Sequence, residues 1–277
     1  TALLWRGDFH NAKQLMQAMG RRIDAKAARK PKVPATLLDA FNLNRQAQAQ
    51  RARTLAMVLI PFDPDYSVPL RRAPDVGQAC LEAWGAPTGN TVASLRELLG
   101  IVGAYEWRRK GVDVPALDAR IHPHYGVFAP IRNEYVEVIA SARLPEPLPP
   151  LAFDIGTGTG VLAAVLAKRG VAKVIATDLD PRALACARDN MQRLRLVGQV
   201  EVIEANLFPE SRAPLIVCNP PWLPARPSSA MERAVYDQDS GMLRGFLAGL
   251  AEHLEPGGEG WLILSDLAEH LGLRSRE

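Results

Sequence analysis

Residues 151–160 read Leu-Ala-Phe-Asp-Ile-Gly-Thr-Gly-Thr-Gly, an apolar run that ends in three alternating glycines, and Val161–Arg169 follows with the composition of a buried helix. Strand, glycine turn and helix in that order set the architecture. Gly156, Gly158 and Gly160 have no Cβ, so the backbone can turn tightly and a ligand can lie against it beside the helix N-terminus. The spacing is GxGxG, with Asp154 two residues before the first glycine. A nicotinamide fingerprint is GxGxxG, and no GxxxxGK[ST] phosphate loop is present. A glycine turn can also be plain geometry, so its neighbours decide.

Downstream the texture alternates: strand Lys173–Thr177, helix Pro181–Leu194, strands Gln199–Ile203 and Leu215–Cys218, helix Met242–Leu254, strand Gly260–Leu264. That alternation predicts an α/β, doubly wound, mostly parallel sheet with helices on both faces. Ligands of such sheets bind at the carboxyl ends of the strands. Asp178 ends the second strand, 18 residues after Gly160, where a carboxylate can hold both hydroxyls of a ribose. Asp180 before Pro181 reads as a helix N-cap. Asn206 and Leu207, after the third strand, offer a polar side chain and an apolar wall suited to an adenine ring. Cys218-Asn-Pro-Pro-Trp222 ends the fourth strand. Its prolines hold an extended backbone. The Asn219 amide oxygen and the Pro220 carbonyl can then both accept from one planar NH₂ group, with Trp222 packed on the group that bears it.

Upstream, residues 1–119 read as a helical, basic domain and 120–150 as a β-hairpin and helix leading into a proline-rich linker. Residues 151–277 form the α/β domain that carries the sheet. Expected helices are one from Phe9 to a stop at Gly20, then Thr36–Val58, Val76–Trp84, Thr91–Arg109 and Asn133–Ala142. Asp8 is the expected cap of the first. Residues 1–53 carry eleven Lys or Arg against three Asp, a balance of +8, while the whole chain of 277 residues has only +3. Such a split marks either a solvated helical surface or a face for an anionic partner. With 48% hydrophobic and 23% charged residues, the composition is that of a globular protein. The longest apolar run, Leu55–Ile60, is far short of a membrane span. Cys80, Cys186 and Cys218 stand singly, which argues for a reducing, cytoplasmic setting. His122 and His124 flank Pro123 without a third ligand nearby, so a structural role is expected and no metal.

These motifs resemble the class I S-adenosylmethionine-dependent methyltransferases that carry an Asn-Pro-Pro-aromatic motif. The resemblance implies that Asp154, Gly156, Thr157, Gly158 and Gly160 wrap the methionine part of S-adenosyl-L-methionine, and that Asp178 holds the ribose. It places Asn206 and Leu207 at the adenine, where the family more often has Asp. Asn219, Pro220, Pro221 and Trp222 would orient the amino group, with Asn219 also lining the cofactor. Ala234–Met242, Leu254–Gly258 and Phe128–Glu134 are similar to segments of HemK-like enzymes, which methylate a glutamine side chain of release factors. The family also implies a closing hairpin beyond the fifth strand, so the C-terminal strands are expected to be missing from this chain. The expected partner is a release-factor-like protein, with N6-adenine or another amino group of RNA or DNA as the alternative acceptor. A non-catalytic binding module would be expected to have damaged motifs, and both stand intact.

Overall fold

The structure, a computed structural model, describes residues 2–29, 33–226 and 234–275. Lys30, Pro31 and Lys32 of the basic stretch, and Glu277, lie outside the described residues. The chain divides into two compact units, residues 1–106 and 107–277. The division falls inside one helix and puts residues 107–119 with the second unit.

The first unit runs β1 (Leu3–Leu4), α1 (Phe9–Arg29), α2 (Leu37–Leu55), β2 (Val58–Phe62), α3 (Gly77–Trp84), β3 (Thr91–Ser94) and the start of α4 (Leu95–Lys110). It is mainly helical, but it contains a three-stranded sheet of order β1-β2-β3. Its core joins Phe9 and Ala12 of α1 to Val58, Ile60 and Phe62 on one face of β2. Asp8 caps α1, its carboxylate accepting from His10 N at 2.8 Å and bonding the Arg72 guanidinium at 2.6 Å.

Three boundaries in this unit differ from expectation, and in the second unit the last strand, expected over Gly260–Leu264, spans Leu254–Leu262 and takes Leu254 from the helix before it. Gly20 does not stop α1: it is buried inside the helix, and a Cβ there would come within 3.1 Å of the Arg51 guanidinium on α2. A helical glycine there lets a neighbouring side chain approach closely; only in the left-handed conformation does glycine end a helix. The helix expected over Thr36–Val58 ends at Leu55, and Val58 opens β2. Thr91–Ser94, expected as helix, is β3, and α4 starts behind it with Ser94 Oγ accepting from Arg96 N at 3.1 Å.

The second unit begins with the antiparallel hairpin of β4 (Val112–Val114) and β5 (Ala119–Ile121), then α5 (Glu134–Ser141). The α/β repeat follows: β6 (Leu151–Ile155), α6 (Val161–Lys168), β7 (Lys173–Asp178), α7 (Pro181–Arg193), β8 (Val200–Glu204), β9 (Ala213–Cys218), α8 (Gly241–His253), β10 (Leu254–Leu262) and α9 (Leu267–His270). The five-stranded sheet has the order β10-β9-β6-β7-β8 with every pair parallel. Both faces are covered, which is why the strands are almost continuously apolar. Ala152, Val174, Leu215 and Val217 pack under α6, whose residues from Val161 to Ala167 are all buried, and under α7. Phe153, Ile155, Ile216 and Cys218 pack on Phe246 of α8.

The hairpin and α5 share the first of these cores through Val114, Leu117, Ile121, Val136 and Ile139. Lys168 bonds the Leu117 carbonyl. The Arg169 guanidinium bonds the Ile139 and Ala142 carbonyls, satisfying the open end of α5. No helix among the described residues is long and apolar enough to cross a membrane.

Candidate functional site

The order β9-β6-β7 brings the expected residues to one sheet edge. Ile155 pairs with Cys218 on one side and Thr177 on the other, so Gly156, Asn219 and Asp178 leave their strands at the same level. This is the place where an open parallel sheet changes direction and forms its crevice.

The glycine loop has a different reason for each glycine. Gly156, Gly158 and Gly160 have φ of +71°, +56° and +82°, all left-handed. At Gly160 a Cβ would sit 2.9 Å from Met191 Cε and 3.4 Å from the Ala187 Cα, so the loop needs glycine to pack on α7. At Gly156 it would meet the movable end of Met242, at 2.4 Å. Over Gly158 there is no atom within 4 Å. The bare backbone there faces open space.

Two acids divide the work around this loop. Asp154 is 1% exposed, and its Oδ2 accepts from Thr157 Oγ1 at 2.6 Å and from Ala163 N, in the first turn of α6, at 3.0 Å. Burial pushes its carboxyl up to about 6, against the lowering effect of those two bonds. Its described bonds hold the loop onto the helix. Asp178 is half-buried at the edge, accepting from Gly158 N at 3.0 Å and from Asp180 N at 2.9 Å. Each carboxylate oxygen keeps a second lone-pair direction for a ligand hydroxyl. Asp180 itself caps α7 by accepting from Arg182 N at 2.9 Å.

Sequence reasoning missed Thr177. Its carbonyl accepts from Thr157 N at 2.8 Å, and its fully buried hydroxyl donates to the Leu207 carbonyl at 2.6 Å. One residue thus ties the loop after β6 to the loop after β8. Leu207 is held there at φ +69°, a conformation that leucine rarely adopts. Asn206 beside it is exposed. Phe208 stacks between Phe246 and His253, with ring centroids 5.7 and 4.3 Å away.

On the β9 side Asn219, Pro221 and Trp222 are half-buried and Pro220 is buried. Leu223 N donates to the Val235 carbonyl at 3.0 Å, and Asp237 N to the Leu223 carbonyl at 2.9 Å. Asp237 Oδ2 then accepts from Met242 N at 2.8 Å at the start of α8. The segment after Trp222 is therefore stitched to the helix whose Met242 covers Gly156. His122 and His124 tie their own segment to neighbouring backbone and to α7. The His122 ring bonds the Arg108 carbonyl at 2.6 Å, and the His124 ring meets Asp189 at 3.2 Å. Buried Asn190 extends that link to the glycine loop by donating to the Thr159 carbonyl at 3.0 Å.

Among known proteins, a release factor glutamine methyltransferase of Cereibacter sphaeroides is 36% identical over 137 residues, covering 44% of this chain and 49% of that protein. A ribosomal protein L11 methyltransferase of Pelotomaculum thermopropionicum is 44% identical over 69 residues, 24% of this chain and 22% of that one. The chain spans about half, or less, of the length of these curated relatives. A solved methyltransferase from Pyrococcus furiosus aligns at 22% identity with a TM-score of 0.43, over 64% of this chain and 83% of that one. The methyltransferase small domain model matches residues 118–272, more than half of the sequence and all of the sheet just described, and the protein belongs to that family.

Proposed function

We propose that this chain is an S-adenosylmethionine-dependent N-methyltransferase whose acceptor is the planar amide of a protein glutamine, in a release-factor-like substrate. The observation that carries this reading is the common level at which Gly156, Asp178 and Asn219 leave β6, β7 and β9. The release factor glutamine methyltransferases of Cereibacter sphaeroides and Deinococcus radiodurans, 36% and 38% identical over 44% and 39% of the chain, support the acceptor.

S-adenosylmethionine supplies an activated methyl group on a sulfonium that leaves as a neutral thioether. Asp178 would take the ribose hydroxyls, and the methionine portion would lie over the open backbone at Gly158. Asn206 and Leu207 would flank the adenine. An amide nitrogen is a poor nucleophile because its lone pair is delocalised. Two acceptors, the Asn219 amide oxygen and the Pro220 carbonyl, would hold its two N–H bonds so that the lone pair faces the methyl group. They would also stabilise the positive charge that develops on nitrogen. Trp222 would pack on the flat face of the acceptor, and Pro221 would keep the turn rigid. No strong base is needed, since the methylated nitrogen sheds its proton to water.

Calorimetric titration of one sample with S-adenosylmethionine and with NAD tests the cofactor, and only the first is expected to bind. A labelled-methyl screen against release factor, ribosomal protein and ribosomal RNA then tests the acceptor. Label on glutamine is the expected result, and label on RNA adenine alone would replace the reading with the nucleic-acid one.

A further inference from the structure

In the first unit, between Gly20 and Leu55, no described residue is buried. The distal halves of α1 and α2 thus form a helical hairpin without a core of its own. Leu38, Phe41 and Leu43 of α2 are only half-buried and Leu37 is exposed, so little apolar packing holds this part. The two helices meet through Arg51, whose guanidinium lies beside Gly20 and forms an ion pair with Asp24 at 2.9 Å. Gly20 and Asp24 therefore mark the side of α1 that faces α2.

Arg21, Arg22, Lys26 and Arg29 are exposed on α1. At about 100° per residue they fall within an arc of roughly 140°, centred about 150° from the side marked by Gly20 and Asp24. Arg22, Lys26 and Arg29 point away from α2 and Arg21 lies at the edge of the arc, about 80° from the facing side; none of the four is in an ion pair among the described residues. The acids described on the two helices are Asp24, spent on Arg51, and Asp39 in the first turn of α2. On α2, exposed Asn42, Gln46 and Gln50 share one side within about 80° of one another, while exposed Asn44 and Gln48 lie on another side.

We infer that this hairpin docks on the phosphate backbone of a double-helical RNA, which acts as an anchor and not as the methyl acceptor. A cationic stripe of unpaired Lys and Arg complements regularly spaced phosphates. Amide side chains of Asn and Gln can both donate to and accept from 2′-hydroxyls. The four cations carry no aromatic residue between them to serve as a stacking platform, which argues against single strands. Interfaces with proteins centre on buried aromatic or large apolar anchors, and Arg21–Arg29 offers none on its cationic arc. The inference is independent of the methyl-transfer reading, because it rests on the first unit alone.

The test is fluorescence anisotropy on the whole chain with a labelled 20-base-pair RNA duplex, the matching DNA duplex, single-stranded RNA, polyglutamate and phosphatidylserine vesicles, from 50 to 200 mM salt. With four phosphate contacts, the RNA affinity should fall about 150-fold across that range, a slope near −3.6 in log–log form. R21Q/R22Q/K26Q/R29Q should remove most of that slope while far-UV circular dichroism and S-adenosylmethionine binding stay unchanged. Exposed Arg143, changed to Gln in the second unit, should leave RNA affinity within twofold. A slope shallower than −2, RNA binding that survives the quadruple variant, or loss of binding equally with R143Q would overturn the inference. So would DNA, single strands, polyglutamate or vesicles binding as tightly as the RNA duplex. Failure of methyl transfer would leave this result intact, and failure of RNA binding would leave the methyl-transfer reading intact.

Discussion

The second unit's α6 and the first unit's α2 are held by opposite routes. In the second, α6 is buried along seven successive residues between strands and hairpin. In the first, α2 buries Leu55 and no other described residue. The same secondary structure is thus held by apolar burial in one place and by helix propensity, the Thr36 cap and the Arg51–Asp24 pair in the other. The first arrangement builds a rigid edge on which atoms can be positioned, and the second leaves a charged surface available.

The contrast is sharpest in the core. Phe153→Ala, at a fully buried residue of β6, should cost about 3–5 kcal/mol in a denaturant titration that follows the second unit. Gly160→Ala should cost about 2–4 kcal/mol, combining left-handed backbone strain with the clash against Met191 and Ala187. Gly158→Ala meets no such neighbour, so its loss should appear mainly as weaker cofactor binding and about 1–2 kcal/mol of strain.

Next comes a pH effect specific to Asp154. Burial pushes its carboxyl up to about 6 in the folded chain, from an ordinary Asp value of 3.8. The folded state therefore holds the proton more tightly, and this contribution is full below about 4 and lost as pH rises through 6. The stability of the parent chain minus that of Asp154→Asn should fall by roughly 2–3 kcal/mol across that window. A difference that stays flat or rises would remove Asp154 from its buried role.

The smallest effect belongs to the hairpin. Arg51→Ala should leave the main unfolding midpoint nearly unchanged, while amide hydrogen exchange across residues 33–50 speeds up. Even in the parent chain these amides should exchange far faster than those of β6 and β9. Protection equal to that of the central strands would break the contrast.

The same difference explains what the sequence made legible. Strand β6 agrees with its sequence pattern to the residue, and the helices α6 and α7 agree to within one residue at the C-terminal end. Glycine, proline and Asp180 punctuate them, and burial on both faces leaves an unambiguous apolar texture. Strand β2 was hidden because no glycine or proline separates Leu55 from Val58, and because Pro61 argues against a strand interior. In the structure Pro61 lies past the two-residue β1, whose partners are Val58 and Leu59. The start of α4 was readable from Ser94 and Glu97 as a capping box, a signal that the apolar pattern overshadowed. The motifs point to the glycine loop, Asp178 and Asn219, which the structure brings to one sheet edge. The stitch through Thr177 and the left-handed Leu207 had no local signature, because a threonine bonded across 30 positions looks like any strand residue.

The β6, β7 and β9 edge is proposed to hold the cofactor while Asn219 aligns the acceptor, so the most direct measurement is Asn219→Ala assayed for both. S-adenosylmethionine affinity by calorimetry should stay within about threefold, while turnover on a glutamine-bearing release factor falls by about 10²-fold or more. Collapse of cofactor binding with turnover per bound complex preserved would contradict the account.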